Sequence, residues 1–126
     1  MVLDTSALMA LLLGEPEADD IAALLASDED FTISAGTLAE ALIVAGRRGI
    51  LEEMSQLLEG IGTDVDSVTA PDAMAVAAAY AAWGKGVHPA GLNFGDCFAY
   101  VTAKKTGARL LYTGDDFAGT DLPSAL

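Results

Sequence analysis

The pattern of apolar and polar positions divides the chain into short extended runs that alternate with helical segments. Met1–Asp4 and Phe31–Ser34 are brief apolar runs of strand type. Asp64–Val68 alternates as a strand does, and Arg109–Thr113 is the last such run. The stretches between them carry helix signals. Ser6 is placed to cap a helix over Ala7–Leu13 that Gly14 stops. Glu15-Pro16-Glu17 opens a second helix that runs to about Ala26. Thr37 and Glu40 read as a capping box for a helix ending near Arg48 and Gly49. Further helices are expected over Leu51–Gly60, from Pro71 to Trp83, and over Asp96–Thr106, with a Gly/Pro loop over Gly84–Gly95. Strand–helix alternation of this kind predicts an α/β fold with a parallel sheet covered on both faces. Sites in such folds lie outside the carboxyl ends of the strands.

Length and composition narrow the class. The chain has 126 residues, the size of one domain, so residues 1–126 are read as one unit. Its 52% hydrophobic content is incompatible with a disordered chain. No apolar run approaches the roughly 20 residues that a membrane span needs. A strand begins at Val2, which leaves no room for an export signal, and the single cysteine cannot close an internal disulfide. A cytoplasmic protein with no membrane partner is expected.

Charge changes the picture more. There are 19 acids and 6 bases, a net charge of −13, and no base precedes Arg47. Such a surface repels polyphosphate and argues against sequence-independent coating of nucleic acid. Several acids fall at element ends. Asp4 ends the first strand, and Glu40 starts the helix after the second. Asp96 opens a helix, and Asp115 and Asp116 follow the last strand. Two carboxylates about 5 Å apart repel by about 3 kcal/mol at an effective dielectric near 20. A cluster of them survives if it holds a cation or takes up protons. Oxygen donors suit Mg²⁺ or Mn²⁺, and one histidine with one cysteine nearly excludes the usual zinc site. Each acid also has a structural use: Asp4 as a strand-end turn, Glu40 as a cap, Asp96 as a first-turn helix acid, Asp115-Asp116 as a turn pair.

Taken together the motifs are familiar. Val2-Leu3-Asp4-Thr5-Ser6-Ala7-Leu8, Thr37-Leu38-Ala39-Glu40-Ala41, Leu92-Asn93-Phe94-Gly95-Asp96-Cys97-Phe98-Ala99-Tyr100 and Leu111-Tyr112-Thr113-Gly114-Asp115-Asp116-Phe117 occur in that order. With Thr120-Asp121 behind them, they resemble the PIN-domain ribonucleases, and among these the VapC toxins of bacterial toxin–antitoxin pairs. The resemblance spans essentially the whole chain. It implies a PIN-like three-layer fold with a central parallel sheet of four or five short strands. It also implies a Mg²⁺- or Mn²⁺-dependent endoribonuclease acting on structured RNA, commonly tRNA, and neutralised by a cognate VapB-type antitoxin. By the same resemblance Asp4, Asp96 and Asp116, with Asp115, are metal ligands. Glu40 joins Asp4, Asp96 and Asp116 as a catalytic acid.

The remaining conspicuous residues have two uses each. Ser6 is either a helix cap or a group that orients Asp4 or binds a phosphate. Arg47 and Arg48 suit a helix C-terminus and are candidates for RNA phosphate. His88 reads as a loop residue, Tyr80 and Trp83 as core or interface, and Cys97 as a packing thiol. Leu8, Leu12, Ile21 and Leu25 lie on adjacent helices that are apolar on more than one face. They are expected to form a protein interface, with the antitoxin or with a second copy in a homodimer. Two other functions compete. A haloacid-dehalogenase-like phosphatase also uses a strand-end Asp, but its second acid would fall at position 6, which is Ser6. A PIN-like module without nuclease activity would need no acids at all four motifs.

Overall fold

The computed structural model describes all 126 residues. The elements in chain order are β1 (Val2–Leu3), α1 (Thr5–Leu12), α2 (Ala18–Leu25), β2 (Thr32–Ser34), α3 (Ala35–Arg47) and α4 (Leu51–Gly60). They continue with β3 (Asp64–Asp66), α5 (Ala70–Trp83), α6 (Phe94–Thr106) and β4 (Leu110–Leu111), and a short 3₁₀ turn covers Phe117–Gly119. The four strands form one sheet in the order β3-β2-β1-β4, and every pair is parallel. Val2 stands opposite Thr32 on one side and Leu110 on the other.

Successive strand residues face opposite sides of a sheet, and this alternation builds two cores. Leu3, Ile33 and Leu111 point to one side and pack with Leu8, Ile21 and Met54 under α1–α4. Val2 and Leu110 point to the other side and pack with Val76, Leu92, Cys97 and Phe117 beside α5 and α6. Three layers result. Because all strands are parallel, the residues after β1, β2 and β4 emerge at one edge of the sheet. α6 runs back into β4, so its N-terminus lies at that edge too.

Several predicted boundaries move, each for a local reason. Asp4, not Ser6, caps α1, and its carboxylate accepts from the Ser6 N–H. Ser34, not Thr37, caps α3 through the Gly36 N–H. The helix therefore starts three residues early, and the expected Thr37–Glu40 capping box does not exist. Thr37 Oγ1 is buried without a hydrogen-bond partner. α2 begins only at Ala18, since the Glu15–Glu17 segment forms a turn before it. α6 begins at Phe94 because Asn93 and Asp96 form the capping box. α5 begins with the equivalent box of Thr69 and Asp72.

The expected interface on α1 and α2 is also corrected. Leu8 and Ile21 are fully buried and Leu25 nearly so, all within the chain's own core, while Leu12 is half-buried against it. α1 is apolar on several faces because it packs against α2, α3 and α4, while α2 buries the one face that carries Ile21 and Leu25.

Candidate active site

The sheet edge gathers four acids from four elements. Asp4 leaves the end of β1, held in place when its N–H donates to the Leu111 carbonyl. Its side chain is 2% exposed. Asp4 Oδ2 accepts from the Ser6 N–H at 3.0 Å and from the Ser6 hydroxyl at 2.6 Å. Ser6 Oγ in turn accepts from the Thr113 N–H at 3.1 Å. The hydroxyl's one proton is thus committed to Asp4, and Ser6 is an orienting group, not a free phosphate donor. Asp4 Oδ1 is buried and has no hydrogen-bond partner.

Asp96 sits at the third position of α6. Its Oδ2 accepts from the Asn93 N–H at 3.0 Å, while its own N–H donates to Asn93 Oδ1 at 2.8 Å. The capping box that starts the helix therefore also fixes the acid. Glu40, in the second turn of α3, reaches across to α1, where Thr5 Oγ1 donates to its Oε1 at 2.7 Å. The Glu40 carboxylate also lies against the α-carbon of Gly95. A β-carbon at that position would collide with Glu40 Oε2.

Electrostatics tie these groups together. Burial pushes Asp4 up to about 6, with Glu40 adding to the rise and the two Ser6 hydrogen bonds opposing it. Burial pushes Asp96 up to about 7. The Asn93 N–H opposes that, and Asp4, Asp116 and Glu40 each add repulsion. Asp116 is exposed yet close enough to act on Asp96.

The donor set fits a hard divalent cation. It consists of carboxylate oxygens, one of them buried with an unmet lone pair, and its neighbours repel one another. No three His, Cys, Asp or Glu side chains are gathered tightly enough to hold an ion alone. Mg²⁺ keeps several waters and binds through one or two carboxylates, so it does not require three. Asp4 and Asp96, the two buried acids of this edge, would be the residues to hold it.

The other candidates have structural uses. Arg47 and Arg48 are exposed at the end of α3, which carries Arg47 about 10 Å along the helix axis from Glu40. His88 Nδ1 accepts from the Ala90 N–H, and its ring stands edge-on to Trp83 at 4.7 Å. Cys97 is buried, and burial pushes its thiol up to about 11, so it is a packing residue. Thr5 and Asn93, which position Glu40 and Asp96, carried no functional signal in the sequence. A threonine between two motif residues looks like any helix-start residue.

Comparisons with known proteins identify the family. The chain matches the PIN domain family over residues 1–121. It is 42% identical to Ribonuclease VapC30 of Mycobacterium tuberculosis over 97% of this chain and 95% of that protein. It is 45% identical to Ribonuclease VapC36 of the same organism, over 97% of this chain and 91% of that one. Among solved structures it is similar to Mycobacterium tuberculosis VapC20, described as a Sarcin-Ricin loop cleaving toxin. That match has a TM-score of 0.79, 17% identity, and 98% and 97% of the two chains covered. It is also similar to a chain of a toxin–antitoxin complex from Klebsiella pneumoniae, with a TM-score of 0.71, 22% identity, and 95% and 92% covered. These two likenesses concern the fold. The dehalogenase-like alternative falls away, since position 6 holds the serine that clamps Asp4. With its motifs, sheet order and near full-length relatives in agreement, the chain belongs to the PIN-domain family, among the VapC ribonucleases.

Proposed function

We propose that this chain is an endoribonuclease toxin that hydrolyses RNA phosphodiester bonds with a bound Mg²⁺ or Mn²⁺. The buried, mutually repelling pair Asp4 and Asp96 carries the reading, because an orphaned carboxylate oxygen at a shared edge calls for a cation. A divalent cation there supplies an activated water and neutralises charge on the phosphate. The chain's own groups have separate tasks. Asp4 and Asp96 hold the ion, and Asp116 completes the site from the loop after β4. Ser6 and Asn93 fix the two main ligands. Glu40 accepts a proton or orients water from the side held by Thr5.

In this reading the substrate is structured RNA. tRNA is the first to test, and the sarcin–ricin loop, cleaved by a solved relative, is the second. The chain works in the cytoplasm as a homodimer and is silenced by a VapB-type antitoxin, as expected of a fold also seen in a toxin–antitoxin complex. A basic antitoxin side chain, best an arginine with its planar fork, would pair with the carboxylates and displace the ion. Arg47 and Arg48 would meet phosphates further along the strand, not the scissile one.

The test is incubation of purified, partner-free protein with total RNA, with and without Mg²⁺, followed by mapping of the new ends. Discrete cuts that need the metal are expected. Intact RNA under every divalent cation tried would return the chain to an interaction module.

A further inference from the structure

The first turns of α3 and α6 leave an open groove of about 260 Å³ between them. Glu40 lines it beside Gly95, together with Phe94, Phe98 and Ile43. Phe94 is 70% exposed and Ile43 59%, a poor use of large apolar groups unless something covers them. The Phe94 ring stands edge-on to Phe98 at 5.0 Å, which steadies it and leaves a face free. The floor is kept low by glycine: a β-carbon at Gly36 would run into the Phe98 ring.

Charge identifies the occupant. Lys104 is paired with Asp121, Lys105 with Asp66 and Asp72, and Arg109 with Glu29. Only Arg47, Arg48 and Lys85 are free of ion pairs, and none of them lines this groove. With a net charge of −13 and no unpaired base lining the groove, phosphate contacts there would be few. Base stacking on an aromatic face is the attraction that remains, and it does not depend on charge. We propose that the groove between α3 and α6 takes the nucleobase next to the scissile phosphate, with Phe94 as its stacking face. This rests on the ribonuclease reading, since Glu40, which that reading places beside the bond to be cut, lines the groove.

The test uses the full chain and a short RNA spanning a mapped cut. Each nucleotide flanking the cut is made abasic in turn, and kcat/KM is compared for wild type, Phe94→Ala and Phe94→Trp. Stacking predicts that one abasic position costs wild type about 10-fold or more. Phe94→Ala should cost as much on the intact RNA and then be indifferent to that abasic position, a non-additive cycle. Phe94→Trp should restore both the rate and the abasic penalty. Additive losses, or no loss in Phe94→Ala, would overturn the subsite while leaving the ribonuclease reading intact. So would a lower sedimentation coefficient for Phe94→Ala, which would give this face to a second copy of the chain. If wild type cuts no RNA, the ribonuclease reading fails and the subsite with it.

Discussion

The Thr5 hydroxyl donates to Glu40 Oε1 at 2.7 Å, joining the first residue of α1 to the second turn of α3 across 35 positions of sequence. This bond separates the catalytic use of Glu40 from the capping use that its spacing from Thr37 suggested. Glu40 caps nothing, and its carboxylate is held at the edge where Asp4 and Asp96 meet. Glu40→Gln keeps an oxygen for Thr5 and should melt within about 1 kcal/mol of wild type. Its RNA cleavage should fall roughly 100-fold or more. Thr5→Val should lower cleavage less, about 10-fold, by freeing Glu40. Cleavage rates near wild type in Glu40→Gln, read on a mapped substrate, would make Glu40 structural.

Asp4 and Asp96 make the metal-free protein sensitive to pH. Both carboxyls are raised in the fold, to about 6 and about 7, from a model-peptide value of 3.8. A raised folded-state pKa favours the protonated fold. Its stabilisation is complete below about pH 3.8 and is lost as pH rises through about 6 and 7. Between pH 5 and pH 8 the apo protein should lose on the order of 4 kcal/mol from this pair. Mg²⁺ at pH 8 should recover roughly 2.7 kcal/mol at 100 times its dissociation constant. Asp96→Asn keeps an oxygen for the capping box. It should flatten the pH profile, raise apo stability at pH 8 and remove most of the metal response. Melting curves with and without metal measure all three.

Ser6→Ala tests the clamp on Asp4. Its hydroxyl stabilises the ionised carboxylate, so its loss should raise the Asp4 pKa further and move the midpoint of metal binding to higher pH. Metal affinity at pH 7 should weaken about 10–100-fold. Cleavage at saturating Mn²⁺ should recover most of its rate. A rate that stays low at saturation, with affinity unchanged, would instead place Ser6 on the substrate. Calorimetric titration of Mn²⁺ reads the affinity.

The burial of Leu8 and Ile21 has its own consequence. Leu8→Ala should cost about 2–5 kcal/mol, as truncation of a core residue does. Ile21→Asp should leave no cooperatively melting protein. If either variant melts like wild type and loses only antitoxin binding, these residues are surface after all.

The sequence was most legible where chemistry and chain direction coincide. Asp4, Asp96 and Asp116 lie at the ends of a strand, at a helix start and after a strand, and parallel strands bring such ends to one edge. The paired Val2-Leu3 and Leu110-Leu111 strands were also readable as apolar runs, though each ladder is shorter than its run. What could not be read was which of two neighbours takes a local hydrogen bond. Asp4 outcompeted Ser6 as a cap, and Ser34 outcompeted Thr37, because the side chain at the strand end is already extended and faces the free N–H groups. The α1–α2 apolar faces misled because a sequence shows how many faces are apolar, not what covers them. Four helices share one side of this sheet, so α1 is covered on more than one face and α2 buries Ile21 and Leu25 in the same core.

The most direct test of the cation-dependent cluster is the chemistry of the RNA ends formed over a Mn²⁺ titration by wild type and by Asp96→Asn. Attack by water predicts cuts that rise with Mn²⁺, vanish with chelator and leave linear phosphate ends. Asp96→Asn should be roughly 100-fold slower or worse. Cuts that persist in chelator and end in 2′,3′-cyclic phosphate would mean that the RNA's own 2′-hydroxyl attacks. Asp4 and Asp96 would then have no part in the reaction.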